Sequence, residues 1–155
     1  MKFLVVCVGK PRDRAIGDAI REYETRAARY WPLEVREVRE EPARGASADL
    51  VREREGERLL GIVDARTQVV ACDAAGVEQT SEEFALWMQR QRERAAEDIA
   101  FVVGGALGLA DAVRARAATR LSFGRWTLPH ELARLVLSEQ LYRAGAIVRG
   151  EPYHK

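Results

Sequence analysis

The chain has 155 residues, of which 47% are hydrophobic and 32% charged, and this mixture excludes a wholly disordered or low-complexity protein. The length predicts a single domain over residues 1–155, and the apolar stretches at 4–8 and 100–110 are too short to span a bilayer. The formal net charge is +1, but residues 101–155 carry eight basic and four acidic side chains, which indicates a polyanionic partner or an ordinary solvated face. Two cysteines in apolar runs, Cys7 and Cys72, indicate buried thiols in a cytoplasmic protein.

The first half of the chain alternates predicted strands with predicted helices. Apolar and β-branched runs predict strands at 2–8, 33–38 and 68–72, and helical periodicity predicts helices at 13–29 and 48–63. Ser47 is placed to cap the second helix, and residues 73–76 predict a turn.

The second half continues this alternation. Thr80 and Glu83 have the spacing of a capping box and predict the start of a helix. The later elements are predicted as a strand at 99–103, a helix at 110–118, a brief strand at 121–123, a helix at 131–144 and a tail from 145 onward. Strands that alternate with helices predict an α/β protein with a mostly parallel sheet.

A glycine-rich loop, Gly104-Gly105-Ala106-Leu107-Gly108, follows the predicted strand at 99–103. Ligands of open α/β sheets bind beyond the carboxyl ends of strands, and glycine lets the backbone approach a ligand closely. The pattern is neither the dinucleotide fingerprint G-x-G-x-x-G nor a phosphate-binding P-loop, so a simple tight turn is equally compatible with it. Asp73 follows the strand at 68–72 and is the acidic residue placed where ligands bind.

A second candidate region lies before the last helix, and a third is the tail. Pro129 fits a helix start, and His130 beside it is either a ligand-binding residue or an ordinary first residue of the helix. The tail contains Tyr153 and His154, which fit either a docked segment or a frayed end. The sequence has two histidines and no zinc-ligand spacing, so we expect no metal site. A G-x-S-x-G nucleophile motif is also absent from the sequence.

Eight short segments together form a specific pattern through their order and spacing. They are VGK at 8–10, EY at 22–23, EGERLL at 55–60, FVVGGALGL at 101–109, LSF at 121–123, TLPHELAR at 127–134, EQLYRA at 139–144 and YHK at 153–155. Over its whole length the chain therefore resembles the ribosomal RNA large subunit methyltransferase H family.

The resemblance implies a fold, a cofactor and a substrate. The fold would be the α/β SPOUT fold, a mostly parallel sheet flanked by helices, whose C-terminal part forms a deep trefoil knot that holds S-adenosylmethionine. The protein would be a homodimer without membrane or metal partners. It would methylate N3 of a pseudouridine in 23S rRNA within the assembled ribosome.

The resemblance also implies site residues, carried over by position. The residues expected to bind the cofactor are Cys72, Gly104, Phe123, Gly124, Arg125, Trp126, Thr127 and Leu128. Arg143, Tyr153 and His154 match the residues associated with the target base and are expected to be catalytic. Cys72 stands where the family usually has leucine, a change that a backbone contact with the cofactor would tolerate.

Methyl transfer from a sulfonium uses an activated donor, so the protein mainly aligns the donor with the acceptor. N3 of the base must lose a proton, which His154, Tyr153 or solvent can take, while Arg143 would stabilise the resulting anion. Two alternatives stay open at this point. One is a non-catalytic RNA- or ribosome-binding module of the same fold, and the other is a nucleotide- or flavin-binding α/β enzyme.

Overall fold

Five parallel strands form the sheet of this protein, in the order β2-β1-β4-β3-β5. The computed structural model describes residues 1–154, and of His154 only the backbone. The strands are β1 (Phe3–Val8), β2 (Leu33–Val38), β3 (Gln68–Glu78), β4 (Ile99–Val103) and β5 (Thr119–Ser122). The helices are α1 (Arg14–Ala27), α2 (Ala48–Gly61), α3 (Ser81–Arg94), α4 (Asp111–Arg116) and α5 (His130–Val148), followed by a 3₁₀ turn at Pro152–His154. The predicted α/β class with a parallel sheet is confirmed.

The strand β1 is buried on both faces because alternate side chains enter two separate cores. Phe3, Val5 and Cys7 pack in the core that contains α3 and α5 residues, and the side chains between them pack in the core of α2 and α4. This explains why the sequence of β1 is continuously apolar rather than alternating. In the part of the chain that the structure describes, no helix is long and apolar enough to cross a membrane.

Local sequence signals fixed the starts of two helices as expected. The Ser47 hydroxyl accepts a hydrogen bond from the Leu50 amide at 3.1 Å, and Thr80 and Glu83 form the complete capping box. These side chains satisfy amide groups that the first turn of a helix leaves without partners.

The structure differs from the sequence prediction in β3 and α5. The expected turn at 73–76 is an irregularity inside β3, where the pairing with β5 shifts register between Cys72 and Val77. The Asp73 carboxylate accepts a hydrogen bond from the Ala75 amide there. A side chain thus takes the place of a backbone hydrogen bond between the strands. The helix α5 runs to Val148, four residues past its predicted end, because its later residues are buried against the core.

A buried ion-pair network fixes α5 on the sheet. Arg134 on α5 is 5% exposed and contacts Glu24 of α1 at 2.8 Å and Glu37 of β2 at 2.7 Å. Since two carboxylates neutralise this guanidinium, its burial among apolar neighbours is tolerated. The network joins α5 to both α1 and β2.

Candidate active site

A cavity of about 250 Å³ opens beyond the carboxyl ends of β3, β4 and β5. Its wall combines the glycine loop after β4, the end of β3 and the loop between β5 and α5. The lining residues used below are Cys72, Asp73, Gly104, Gly105, Arg114, Phe123, Gly124, Trp126, Thr127, Leu128 and His130. Seven of the eight residues expected to bind the cofactor meet here, and this is the edge at which open α/β sheets bind ligands.

Arg125 is the eighth expected cofactor residue and lines a neighbouring open groove instead. That groove also contains Ala74, Gly76 and Trp126. Trp126 borders both spaces and is 86% exposed. Its indole ring therefore forms part of the rim of the cavity.

The glycine loop is tight because its backbone folds back on itself. The Gly108 amide donates to the Gly105 carbonyl oxygen at 3.0 Å, and Gly108 has a φ of +87°. A Cβ atom on Gly104 would lie 2.8 Å from the carbonyl group of Gly108. This distance is shorter than the contacts that Cβ atoms make in real proteins. The loop thus requires glycine at 104 and exposes backbone, instead of side chains, to the cavity.

The loop between β5 and α5 is shaped by Ser122 and Gly124. Ser122 Oγ accepts the Gly124 amide at 3.1 Å and lies 3.1 Å from the Ala74 carbonyl oxygen, so it joins this loop to β3. Gly124 has a φ of +124°, a conformation that L side chains rarely adopt. The loop ends at Pro129, and His130 at the start of α5 faces the cavity.

Asp73 and Arg114 form an ion pair in the cavity wall, with 2.7 Å between Arg114 Nε and Asp73 Oδ2. Burial opposes ionisation of the carboxyl, but the Ala75 amide and Arg114 outweigh it and hold the pKa of Asp73 below its usual value. Arg114 also donates to the Leu109 carbonyl oxygen at 2.8 Å, which ties the glycine loop to α4. Asp73 could be predicted as a site residue because it follows a strand. Arg114 could not, because an arginine on a helix with several charged residues is usually a solvated surface residue.

Cys72 contributes a neutral thiol to the cavity wall. Burial, followed by the nearby Asp73 carboxylate, raises the pKa of Cys72 to about 12. Its thiol therefore stays protonated near neutral pH and acts as a small, weakly polar group. Cys72 can therefore line the cavity much as a small apolar residue would.

Arg143 and Tyr153 form a second cluster, which is built around Glu139 of α5. Glu139 Oε1 accepts Arg143 Nη2 at 2.7 Å and the Tyr153 hydroxyl at 3.1 Å. The Arg143 guanidinium carbon lies 4.9 Å from the centre of the Tyr153 ring, and the Tyr142 and Tyr153 ring centres are 4.5 Å apart. Tyr23 of α1 completes the cluster, 3.2 Å from the Tyr153 hydroxyl. Two expected catalytic residues are therefore brought together, whereas the side chain of His154 lies outside the described residues.

The second cluster is remote from the cavity within one chain. His130 at the start of α5 faces the cavity, and Arg143 lies thirteen residues further along the same helix, about 20 Å away at the usual rise per residue. One copy of the chain thus does not bring Arg143 and Tyr153 to the residues that line the cavity.

A family model described as a predicted SPOUT methyltransferase matches residues 1–154. The chain belongs to the SPOUT methyltransferase family. The similarity extends to proteins named ribosomal RNA large subunit methyltransferase H, which confirms the family resemblance. The relative from Gemmatimonas aurantiaca is 59% identical and the one from Limosilactobacillus fermentum 45% identical, each alignment covering 100% of both chains.

A solved structure also resembles this methyltransferase over 97% of its length, with 17% identity and a TM-score of 0.48. It is the SpoU methyltransferase AviRb from Streptomyces viridochromogenes in complex with the cofactor AdoMet, and the match covers 59% of that chain. The trefoil knot implied by the resemblance stays a prediction.

Proposed function

We propose that this methyltransferase transfers a methyl group from S-adenosylmethionine to N3 of a pseudouridine in 23S rRNA of the assembled ribosome. The observation that carries the proposal is the convergence of the glycine loop and the β5–α5 loop on one cavity, in a chain 59% identical over its full length to a ribosomal RNA large subunit methyltransferase. A ribosomal substrate also places the reaction in the cytoplasm.

The cavity has the chemistry that S-adenosylmethionine requires. The glycine loop brings its backbone to the cavity wall, and Phe123 and Leu128 offer apolar surface for an adenine ring. Bound there, the cofactor supplies an activated methyl group on a sulfonium. The role of these residues is to bind and orient the donor, because the donor itself needs no further activation.

The second cluster supplies the groups expected to act on the base. Arg143 is the cation that would stabilise the anion left when N3 loses its proton. Burial, the hydrogen bond with Tyr23 and the charge of Glu139 raise the pKa of the Tyr153 phenol, so this phenol keeps its proton near neutral pH. Tyr153 therefore serves as a hydrogen-bond donor or stacking surface, and the N3 proton passes to His154 or to solvent.

A homodimer would bring the two groups of residues together. Within one chain α5 separates Arg143 from the cavity by about 20 Å, so a second copy must deliver its Arg143 and Tyr153 to the cofactor. Trp126, which is 86% exposed, gives the rim of the cavity an apolar surface that a partner subunit can cover.

Methyl incorporation into ribosomes tests the proposal directly. Ribosomes from a strain lacking the modification are incubated with the protein and S-adenosylmethionine labelled in the methyl group, and the labelled nucleoside is then identified. We expect 3-methylpseudouridine in the large subunit RNA. Cofactor binding without incorporation would instead indicate a non-catalytic module. Thermal stabilisation by NAD or flavin, and not by S-adenosylmethionine, would indicate the nucleotide-binding enzyme.

A further inference from the structure

Glu55 of α2 is a buried carboxyl group directly behind the glycine loop. Only 3% of the surface of Glu55 is exposed. Its Oε2 atom has no hydrogen-bond partner among the described residues. Burial of an unpaired carboxyl oxygen is costly, and such groups in native proteins usually have a specific role. A methionine of similar length would fill the same space without this cost, so packing alone does not explain a carboxyl group here.

The unpartnered oxygen faces Gly105. A Cβ atom built on Gly105 would collide with Glu55 Oε2 and lie 3.1 Å from Glu55 Cδ, so the carboxyl group occupies the space that any side chain at 105 would need. Since φ of Gly105 is not in the left-handed region, this close approach is what requires glycine at the position. Gly105 also lines the cavity, which means that Glu55 touches the wall of the proposed cofactor site from the outside.

The second carboxyl oxygen of Glu55, Oε1, is hydrogen-bonded to the backbone beyond the end of β2. Glu55 Oε1 accepts the Glu41 amide at 3.3 Å, in the segment that follows β2. The neighbouring Gly56 comes so close to the other end of the loop that a Cβ there would lie 2.8 Å from Ala110 Cβ. Glu55 and Gly56 together therefore hold α2 against both ends of the loop.

We propose that Glu55 is a positioning residue of the cofactor site: its carboxyl group accepts the Glu41 amide after β2, packs against Gly105 and so sets the path of the glycine loop along the cavity. The inference rests on the proposed binding of S-adenosylmethionine at this loop.

The surroundings of Glu55 raise the pKa of its carboxyl group above the usual value. Burial is the main cause that raises the pKa of Glu55, and Glu40 adds to it, while the Glu41 amide, Arg58 and His130 act in the opposite direction. Glutamine keeps the length of Glu55 and an oxygen that can accept the Glu41 amide, whereas methionine keeps the volume but removes both oxygens.

Cofactor affinity measured by calorimetry on the full chain tests the proposal, with Glu57→Gln as a control at an exposed position of α2. We expect Glu55→Gln and the control to bind S-adenosylmethionine as the wild type does, and Glu55→Met to bind about tenfold more weakly, the scale of coupling between residues in contact. A folded Glu55→Met variant with wild-type affinity would overturn the inference. A wild type that does not bind the cofactor would overturn the proposed function, and the inference with it.

A double-mutant cycle covers the case in which Glu55→Met does not fold. Gly105→Ala introduces the methyl group that collides with the carboxyl, and Glu55→Asp withdraws the carboxyl by one methylene. We expect the loss of cofactor affinity caused by Gly105→Ala to be several-fold smaller in the Glu55→Asp background. Additive effects of the two substitutions would overturn the inference.

Discussion

The guanidinium group of Arg143 lies over the ring of Tyr153, 4.9 Å from its centre, although the two residues belong to different elements. Glu139 holds both side chains through one carboxylate oxygen. Its hydrogen bond keeps the pKa of Arg143 above the usual arginine value, so this side chain is a permanent cation. The cluster thus places a permanently protonated guanidinium, paired with Glu139, beside an aromatic surface, and both groups suit a base that becomes anionic.

Replacement of Arg143 by alanine is expected to lower kcat on ribosomes by about 100-fold, because the cation that stabilises the developing anion is lost. Cofactor affinity is expected to stay unchanged, since Arg143 is proposed to act on the base and not to hold the cofactor. Arg143→Lys is the matched control and is expected to retain part of the activity through its charge. Steady-state kinetics and calorimetry separate the two effects, and an equal loss of kcat and cofactor affinity would contradict the assignment.

The variants Tyr153→Phe and His154→Ala test which of the two side chains takes the proton from N3. The raised pKa of Tyr153 keeps its phenol protonated across the neutral range, so Tyr153→Phe is expected to lower turnover without changing the shape of the pH–rate profile. If His154 takes the N3 proton, His154→Ala is expected to lower turnover and to change the shape of the pH–rate profile. A profile altered by Tyr153→Phe and not by His154→Ala would reverse these roles.

Gly104→Val is expected to abolish cofactor binding in a chain that still folds. A Cβ at this position would lie 2.8 Å from the Gly108 carbonyl group, so the loop must open and lose its shape along the cavity. Gly61→Ala is the control, because a Cβ there meets no atom within 4 Å. Calorimetry with S-adenosylmethionine and a thermal melt give the result, and undiminished binding by Gly104→Val would refute the role of the loop.

Mixing two inactive variants tests whether each active site is shared between subunits. Gly104→Val damages the cavity and Arg143→Ala damages the second cluster, so a heterodimer of the two contains one intact composite site. Coexpression at equal levels is expected to restore about a quarter of wild-type activity in a homodimer of this kind. No recovery, with heterodimers confirmed by mass spectrometry, would place each complete site within one chain.

Arg134→Ala is expected to destabilise the fold by about 3 kcal/mol, since it leaves two partly buried carboxylates without their cation. Arg21→Ala removes an exposed ion pair with Asp18 and is expected to cost less than about 1 kcal/mol. Urea denaturation of both variants measures the difference. Similar losses for the two would show that the Arg134 network does not fix α5.

Local signals in the sequence were sufficient to predict several elements of the fold. The continuous apolar run at β1, the Ser47 cap and the capping box at Thr80 all act within a few residues, and all three match the structure. The glycine loop could also be located, because a strand followed by glycines at that end of the sheet predicts close backbone approach. The family pattern supplied the site residues, seven of which line one cavity.

Tertiary structure alone decided the features that depend on distant partners. The strand β3 continues past Cys72 because β5 pairs with it beyond the irregularity, and α5 continues to Val148 because the core covers its last turns. No local pattern links Asp73 to Arg114, or Glu55 to Gly105, since these pairs are 41 and 50 positions apart and meet only when the sheet assembles. The contacts of Arg134 with Glu24 and Glu37 likewise join residues 110 and 97 positions apart, which periodicity and propensity do not encode.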